Sequence, residues 1–302
     1  MLKNWRLNTQ KTYKSIIKDW FSFAFVNDYC LFNPSIGEGL NYITYLFDKG
    51  VSFNRLCTIR AALSAFIFVN IDFGNHSMVK KYFKGLFNLN PSFTVKSKIA
   101  NWDANIVLSL LKDWYPYDDL SLKQISLKLA FLLAILSGQR VQTICNILIS
   151  NIVFEEDKCI IFFTNLLKHT RKGFQQEPIT LLKFTNLNLC VVNLIKVYLE
   201  KTKTIRNGTD KLLLSFQKPH KAISTETLSR WLKLIISLSG IDIKSKNIKA
   251  HSTRSQATSI AAWTGMSVTT IMKAAGWSRQ TTFTKFYKKR ITENLGQAVL
   301  ER

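Results

Sequence analysis

The strongest constraint on the fold is one apolar segment near the middle of the chain, Ser121 to Leu136. A helix that is apolar on most of its faces must be buried, and its longest apolar run, Leu127 to Leu136, is too short to cross a membrane. The segment therefore predicts a helix that runs through the middle of a protein core. It ends at Gly138, and Arg140 follows at once. Because a charge at the rim of a buried helix is costly unless something anionic meets it, Arg140 is a candidate anion-binding residue.

The composition favours a folded protein with an anionic partner. The 302 residues suffice for two domains, each with its own core, and 47% of them are apolar, which excludes a disordered chain. The 42 Lys and Arg against 19 Asp and Glu leave a formal charge of +23, so we expect a polyanion as partner. The other long apolar run, Arg60 to Ile71, is also too short to span a bilayer. No secretory signal follows Met1 to Arg6, and a membrane partner is not expected.

The cysteines and histidines are scattered along the chain. An odd set of cysteines without a Cys-x-x-Cys pair is typical of reduced core thiols in an intracellular protein. The histidines form no pair at metal-ligand spacing, so we expect no metal site. The cysteines are at positions 30, 57, 145, 159 and 190, and the histidines at 76, 169, 220 and 251.

Residues 1–92 contain four amphipathic segments of similar length, which predict a compact four-helix domain. The third is expected to stop near Gly74, and the fourth to turn Val79, Phe83 and Phe87 inward. The outer faces of these helices carry eight basic residues. Each one taken alone is best interpreted as solvent-exposed, but the whole set predicts contact with DNA. That set comprises Lys11, Lys14, Lys18, Arg55, Arg60, Lys80, Lys81 and Lys84.

Residues 93–101 show little periodicity and are interpreted as a linker to a second domain, residues 102–302. Asp103 is expected to cap a helix that bears Ile106, Leu110 and Leu111. From residue 151 the period changes, and three short segments predict a small antiparallel sheet. Helices resume at about residues 186–203 and 224–239. The fold class is therefore mainly α (α+β), with the sheet at one edge of the second domain.

The segment from Ala250 to Arg290 has the residues that a reacting phosphate needs. His251 and Arg254 are three residues apart and share a face if the segment is helical. A short helix from Met266 is expected to stop at Gly276, just before Trp277. Ser278 would cap a last helix, which Phe283 and Phe286 would anchor in the core. This helix would carry Tyr287, surrounded by the cations Lys285, Lys288, Lys289 and Arg290. A tyrosine among so many cations is a candidate nucleophile.

These elements, in this order, resemble the tyrosine recombinase (phage integrase) superfamily across the whole chain. The order is Arg140, a lysine on a β-hairpin, His251-x-x-Arg254, Gly276-Trp277 and Tyr287. The segments 137–143, 250–254 and 274–278 are most similar to recombinases of eukaryotic DIRS, Ngaro and Crypton mobile elements. The resemblance implies a SAM-like core-binding domain followed by a catalytic domain, which together form the tyrosine recombinase fold.

The resemblance also implies a role for each of these residues. Tyr287 would attack a DNA phosphodiester and leave a 3′-phosphotyrosyl link, which conserves the bond energy and implies no metal or other cofactor. Arg140 and Arg254 would clamp the nonbridging oxygens, and His251 would hydrogen-bond the phosphate and help move the proton. Trp277 would donate its indole N–H. The lysine that protonates the departing 5′-oxygen would be Lys168, with Lys172 on the same loop as the alternative.

Each residue has a plain structural alternative. Tyr287 could be an amphipathic-helix tyrosine, Arg140 a partner of a buried carboxylate, and Trp277 a core side chain. His251 and Arg254 could serve the surface or the core. Many bacterial relatives have a carboxylate three residues after the first arginine, where this chain has Thr143, so no orienting role is expected there.

The leading functional hypothesis is a site-specific recombinase that integrates or excises a mobile element. Strand exchange needs two double-stranded DNAs and four protomers, which implies a homotetramer on DNA. The tail, residues 291–302, could dock on its own domain or on a neighbouring protomer. Placement in a nucleus follows only if the element is eukaryotic. The alternatives are a type IB topoisomerase, which would act as a monomer, and a domesticated DNA-binding protein without catalysis.

Overall fold

The computed structural model describes residues 5–90, 102–164, 170, 177–245 and 247–277. The chain divides into two compact units, residues 1–96 (the first unit) and 97–302 (the second unit). The predicted linker, residues 93–101, lies outside the described residues. The sequence boundaries of the two domains therefore stay predictions.

The described residues of the first unit, 5–90, form four helices, as the sequence predicts. They are α1 (Leu7–Val26), α2 (Ile36–Asp48), α3 (Phe53–Phe66) and α4 (Ser77–Leu89). Ser35 begins α2 with a capping box, in which its hydroxyl accepts from the Glu38 N–H and the Glu38 carboxylate accepts from the Ser35 N–H. The core of the unit is formed mainly by Ile16, Trp20, Ile43, Leu56, Leu63, Phe73 and Phe83.

Two details of the first unit correct the sequence prediction. Helix α3 ends at Phe66 rather than near Gly74, and turns fill the interval before α4. On α4, Phe87 is 41% exposed, and Leu86 is buried in its place beside Val79 and Phe83. Phe87 is four positions after Phe83 and Leu86 is three positions after it, and both spacings are compatible with one helix face.

The second unit is organised around its most apolar helix. It contains α5 (Ala104–Asp113), α6 (Leu122–Ser137), α7 (Val141–Cys145), α8 (Val191–Thr202), α9 (Thr225–Leu238), α10 (His251–Trp263) and α11 (Val268–Ala275). In α6, 12 of the 16 residues are buried, and the helix packs against α8, α9 and α10. A capping box between Ser121 and Gln124 begins α6, and Gly138 ends it in the left-handed conformation. The predicted central helix is confirmed.

A buried lysine lies within this core. The Nζ of Lys128 donates to the carbonyl of Leu111 at 2.6 Å and to that of Trp114, and it lies 4.8 Å from the centre of the Tyr117 ring. These carbonyls belong to the C-terminal end of α5, where the Leu111 carbonyl also accepts from the Trp114 N–H. Burial lowers the pKa of Lys128 to about 8.

The sheet has the predicted antiparallel form. Its strands are β1 (Ile152–Phe154), β2 (Lys158–Ile161) and β3 (Ile179–Leu182), in the order β1-β2-β3. Ile161 of β2 lies opposite Ile152 on one side and Ile179 on the other. Lys168 and Lys172, between β2 and β3, lie outside the described residues.

Three further details of the sequence interpretation need correction. Asp103 does cap α5, by accepting from the Asn105 N–H at 2.9 Å, but Ile106 is 47% exposed, and Ala104, Val107 and Leu111 are the buried residues. The helix expected from residue 186 begins as a separate short turn, and α8 starts at Val191. Cys30 is exposed and is not a core thiol.

Two structural absences hold for the described part of the chain. Within it, none of the helices combines the length and the apolar character needed to cross a membrane. Nor do three or more His, Cys, Asp or Glu side chains of those same residues gather where they could hold a metal ion.

Candidate active site

Arg140 is positioned by the end of the central helix. Gly138 adopts a φ of 58°, which allows the chain to leave α6 sharply. A Cβ at this glycine would lie 3.4 Å from the methyl group of Thr258 and 3.8 Å from the Cβ of Ala257, so the turn lies beside α10. Arg140 follows as the N-cap residue of α7 and is half-buried. Its place at the rim of the buried helix is the one that the sequence predicts.

Helix α10 carries the other two predicted phosphate-binding residues. His251 is its first residue and is exposed, and Arg254 lies one turn later and is only 1% exposed. The segment is helical, and residues three apart in a helix are neighbours on one face, so His251 and Arg254 share a face as predicted. The helix begins with no acidic residue in its first turn, which leaves its positive N-terminal end uncompensated by a carboxylate there.

The guanidinium group of Arg254 is held on two sides. Its Nη2 donates to the carbonyl of Ala275 at 2.7 Å. Its central carbon lies 4.7 Å from the centre of the Trp277 ring, which is the geometry of a cation–π contact. An arginine fixed in this way loses little conformational freedom when it binds an anion. The arrangement therefore favours a preorganised cationic group.

Trp277 reaches this position because of the way α11 ends. Ser267 caps the start of α11, and Gly276 ends it in the left-handed conformation, with φ 64° and ψ 48°. The N–H of Gly276 donates to the Lys273 carbonyl at 3.0 Å, and that of Trp277 to the Met272 carbonyl at 2.9 Å, which is a Schellman motif. The stop predicted at Gly276 is thus observed, and Trp277 is 6% exposed beneath Arg254.

Sequence reasoning missed Gln139. This buried side chain donates from Nε2 to the carbonyl of Ala274 at 2.5 Å. Gln139 and Arg254 therefore bind successive carbonyls at the end of α11. The segments that carry Arg140, Arg254 and Trp277 are joined by these contacts. The sequence offers one indication of a role for Gln139, which is that it immediately precedes Arg140. A glutamine at this position belongs to no recognisable motif.

The remaining predicted residues are placed less fully. Lys168 and Tyr287 lie outside the described residues, as do Ser278, Phe283, Phe286 and the tail. Thr143, where bacterial relatives have a carboxylate, is buried within α7. The described part of the site is thus a half-buried arginine, a buried and fixed arginine, an exposed histidine and an indole, all within the second unit. Arginine and histidine side chains suit the binding of a phosphate group, and the segments that carry Arg140 and Arg254 both contact the end of α11.

Comparison with known proteins gives this arrangement a family. Residues 109–293, more than half of the chain, match the model of the phage integrase family. No curated protein sequence matches the chain.

Solved structures resemble the chain in fold. A lambda integrase dimer bound to a COC′ core site has a TM-score of 0.56 and 17% identity over 96% of this chain and 74% of that one. A XerH site-specific recombinase bound to palindromic difH substrate, in a post-cleavage complex, has a TM-score of 0.56 and 17% identity over 87% of this chain and 71% of that one. A lambda integrase tetramer bound to a Holliday junction has a TM-score of 0.51 and 17% identity over 96% and 75% of the two chains.

The family match and the fold agree with each other. The matched segment includes all six residues that the sequence nominates, Arg140, Lys168, His251, Arg254, Trp277 and Tyr287. The helical fold with its small antiparallel sheet is that of the solved recombinases. The protein is therefore a member of the phage integrase family, within the tyrosine recombinase superfamily.

Proposed function

We propose that the protein is a site-specific DNA recombinase that cuts and rejoins DNA through a 3′-phosphotyrosyl intermediate. The observation that carries the proposal is the fixed guanidinium group of Arg254, which contacts the Ala275 carbonyl and the Trp277 ring one helical turn from His251. Cations that are held in place before the reaction stabilise the charge that develops on a phosphate in the transition state. The position of Gly138 beside α10 and the contact of Gln139 with Ala274, both next to Arg140 in the chain, support the same role for that arginine.

The reaction exchanges one phosphodiester bond for another. The Tyr287 oxygen attacks the phosphorus, the new P–O bond forms, and the bond to the 5′-oxygen breaks. His251 helps to move the phenol proton, and Lys168 or Lys172 gives a proton to the departing oxygen. A free tyrosine has a pKa of about 10, so nearby positive charge has to favour its phenolate. The roles of Tyr287 and of the lysine rest on the family resemblance.

The high burial of Arg254 adds a requirement to this proposal. With 1% of its surface exposed, the guanidinium group meets a nonbridging oxygen only when the groups that cover it move aside. Binding of DNA therefore has to open the site at α10. A rearrangement that moves the cover and leaves the contacts with Ala275 and Trp277 in place would present the guanidinium in its fixed orientation.

The substrate and the assembly follow from the chemistry. Strand exchange joins two double-stranded DNAs and needs four active sites, so we propose a homotetramer. A lambda integrase tetramer on a Holliday junction is among the solved structures of similar fold. The motif similarity to DIRS, Ngaro and Crypton recombinases supports a role in integration or excision of a mobile element, and a nuclear location if its host is eukaryotic.

The test is a trapping experiment. The protein is incubated with a nicked suicide DNA that carries the terminal sequences flanking its own gene, and covalent adducts are separated on a denaturing gel. Wild type should form an adduct that Tyr287→Phe abolishes, and mass spectrometry should place the DNA on the peptide that contains Tyr287. Tyr115→Phe is the matched control, because it removes the hydroxyl of an exposed tyrosine of the second unit and should leave the adduct unchanged.

Other outcomes would identify the alternatives. DNA binding without any adduct would favour a DNA-binding protein that lacks catalysis. Adducts accompanied by relaxation of supercoiled DNA by single protomers would favour a topoisomerase. An adduct on another tyrosine would overturn the assignment of Tyr287.

A further inference from the structure

A tryptophan that the sequence does not nominate contacts the helix that carries His251 and Arg254. Trp102 is the first described residue of the second unit and precedes Asp103, the N-cap of α5. Its indole Nε1 donates to the hydroxyl of Ser252 at 2.9 Å. Its backbone carbonyl accepts from Nε2 of Gln256. Trp102 thus makes two hydrogen bonds to α10, across about 150 residues of sequence.

The two contacts lie on one side of α10. Successive residues of an α-helix are rotated by about 100°, so Ser252 and Gln256, four apart, face nearly the same way. Arg254 lies about 200° from each of them and therefore faces the opposite side. On that side its guanidinium group binds the Ala275 carbonyl. Helix α10 is held between Trp102 and the end of α11.

The anchor is itself fixed. Trp102 is buried, and its ring lies 6.3 Å from that of Phe131, which belongs to the central helix α6. Its backbone is tied to α5 through the cap at Asp103. The position of α10 is therefore defined relative to the core, and a rotation of α10 about its axis that displaced Arg254 would also break the Trp102 contacts.

We infer that Trp102 is a positioning residue for the proposed cleavage reaction, which sets the rotation of α10 and hence the place of Arg254 and His251. The inference rests on the proposed function. Trp102 acts through Ser252 and Gln256, and a small misplacement of a catalytic group lowers a rate by up to roughly 100-fold.

The experiment compares variants that remove single hydrogen bonds and keep the packing. Trp102→Phe removes the indole N–H, Ser252→Ala removes its acceptor, and Ser252→Thr keeps the hydroxyl. Tyr117→Phe is the matched control, because it removes the hydroxyl that bonds the Leu187 carbonyl at 2.6 Å in the same core, on elements other than α10. Each variant is measured for the rate of covalent adduct formation at saturating DNA, for DNA affinity, for Tm, and for hydrogen exchange of the peptide 251–263.

Trp102→Phe and Ser252→Ala should each slow adduct formation roughly 10-fold or more at unchanged DNA affinity, and the double variant should be no slower than the slower single one. Ser252→Thr should restore the rate. Exchange of the peptide 251–263 should rise in the first two variants and not in Tyr117→Phe. If Trp102→Phe does not fold, Ser252→Ala carries the test alone.

Two results would overturn the inference. One is a wild-type rate and unchanged exchange of α10 in Ser252→Ala and Trp102→Phe. The other is an equal slowing by Tyr117→Phe at the same loss of Tm, which would indicate general destabilisation. If wild type itself forms no adduct, the proposed function fails, and the exchange of α10 still decides whether Trp102 positions the helix.

Discussion

The guanidinium carbon of Arg254 lies 4.7 Å from the centre of the Trp277 ring. The two residues are 23 positions apart in the sequence, and each is brought to the contact by a different local device. Helix α10 carries the arginine, and the glycine turn after α11 carries the tryptophan. The sequence nominates both residues, and the structure shows how they are related: the indole forms a surface against which the arginine is oriented.

Replacing Arg254 by lysine should separate catalysis from binding. The lysine keeps the charge but lacks the planar fork that can contact the Ala275 carbonyl, the indole and a phosphate oxygen together. We expect adduct formation to fall by about 100-fold or more, whereas DNA affinity changes by less than about threefold because phosphate contacts elsewhere dominate it. Single-turnover cleavage and fluorescence anisotropy measure the two effects.

Arg230→Lys is the control for this change, because Arg230 is an exposed arginine on α9 of the same unit. It should leave the cleavage rate near that of wild type. Equal losses of binding and cleavage in Arg254→Lys would show that the arginine serves the fold alone.

Alanine at Gly138 and alanine at Gly208, a glycine with a similar backbone in open space, should cost similar stability but differ in their effect on the proposed cleavage reaction. Alanine at Gly138 would adopt a φ of 58° and would bring its Cβ to 3.4 Å from Thr258 on α10. At Gly208 the φ is 73°, and nothing lies within 4 Å of the added carbon. Both variants should lose about 1 kcal/mol of unfolding free energy from the left-handed backbone.

The Gly138 variant should also slow adduct formation, since the contact with α10 is next to Arg140, and Gly208→Ala should not. Urea unfolding and single-turnover cleavage test both statements. Identical behaviour of the two variants would mean that the contact between Gly138 and α10 has no influence on the site.

Much of this architecture was predictable because it depends on local chemistry. The ends of α6 and α11 follow from Gly138 and Gly276, which can adopt a positive φ without strain. The starts of α2 and α9 follow from Ser35 and Ser224, whose hydroxyls accept from backbone N–H groups that have no helical partner. The spacing of His251 and Arg254 likewise needs only a helix to become a shared face.

The contacts that were not predictable are those between distant parts of the chain. Nothing near Gln139 indicates that it will bind the carbonyl of Ala274, 135 residues away, and nothing near Trp102 indicates Ser252. Periodicity also leaves the choice between Leu86 and Phe87 open, because helical spacing allows both. Packing against other elements decides such cases.

Lys128 should make stability depend on pH above neutrality. Burial lowers its pKa from 10.5 to about 8, so between these values the unfolded chain binds the proton more often than the folded one. The free energy of unfolding of wild type, relative to Lys128→Met, should therefore rise as the pH increases from 8 to 10, by on the order of 1 to 3 kcal/mol. Below pH 8 the difference should be nearly constant.

Urea unfolding at several pH values measures the difference in free energy of unfolding between wild type and Lys128→Met. The titration of other groups cancels in this difference. Lys123→Met is the control, because Lys123 is exposed on the same helix, and its curve should parallel that of wild type. A curve for Lys128→Met that also parallels wild type would contradict the burial of an ionisable amine at this position.

The affinity for DNA should fall steeply with salt if the basic face of α1 contacts the phosphate backbone. Lys11, Lys14 and Lys18 are exposed on this helix, and each phosphate that a protein neutralises contributes about −0.9 to the slope of log K against log salt. Changing all three lysines to glutamine should make the slope shallower by about 2 to 3.

Lys203→Gln is the control, because Lys203 is an exposed lysine beside Glu200 in the second unit, and this change should alter the slope little. An unchanged slope in the triple variant would show that DNA is bound by other surfaces, because charges that release no counterions cannot be in contact with the backbone.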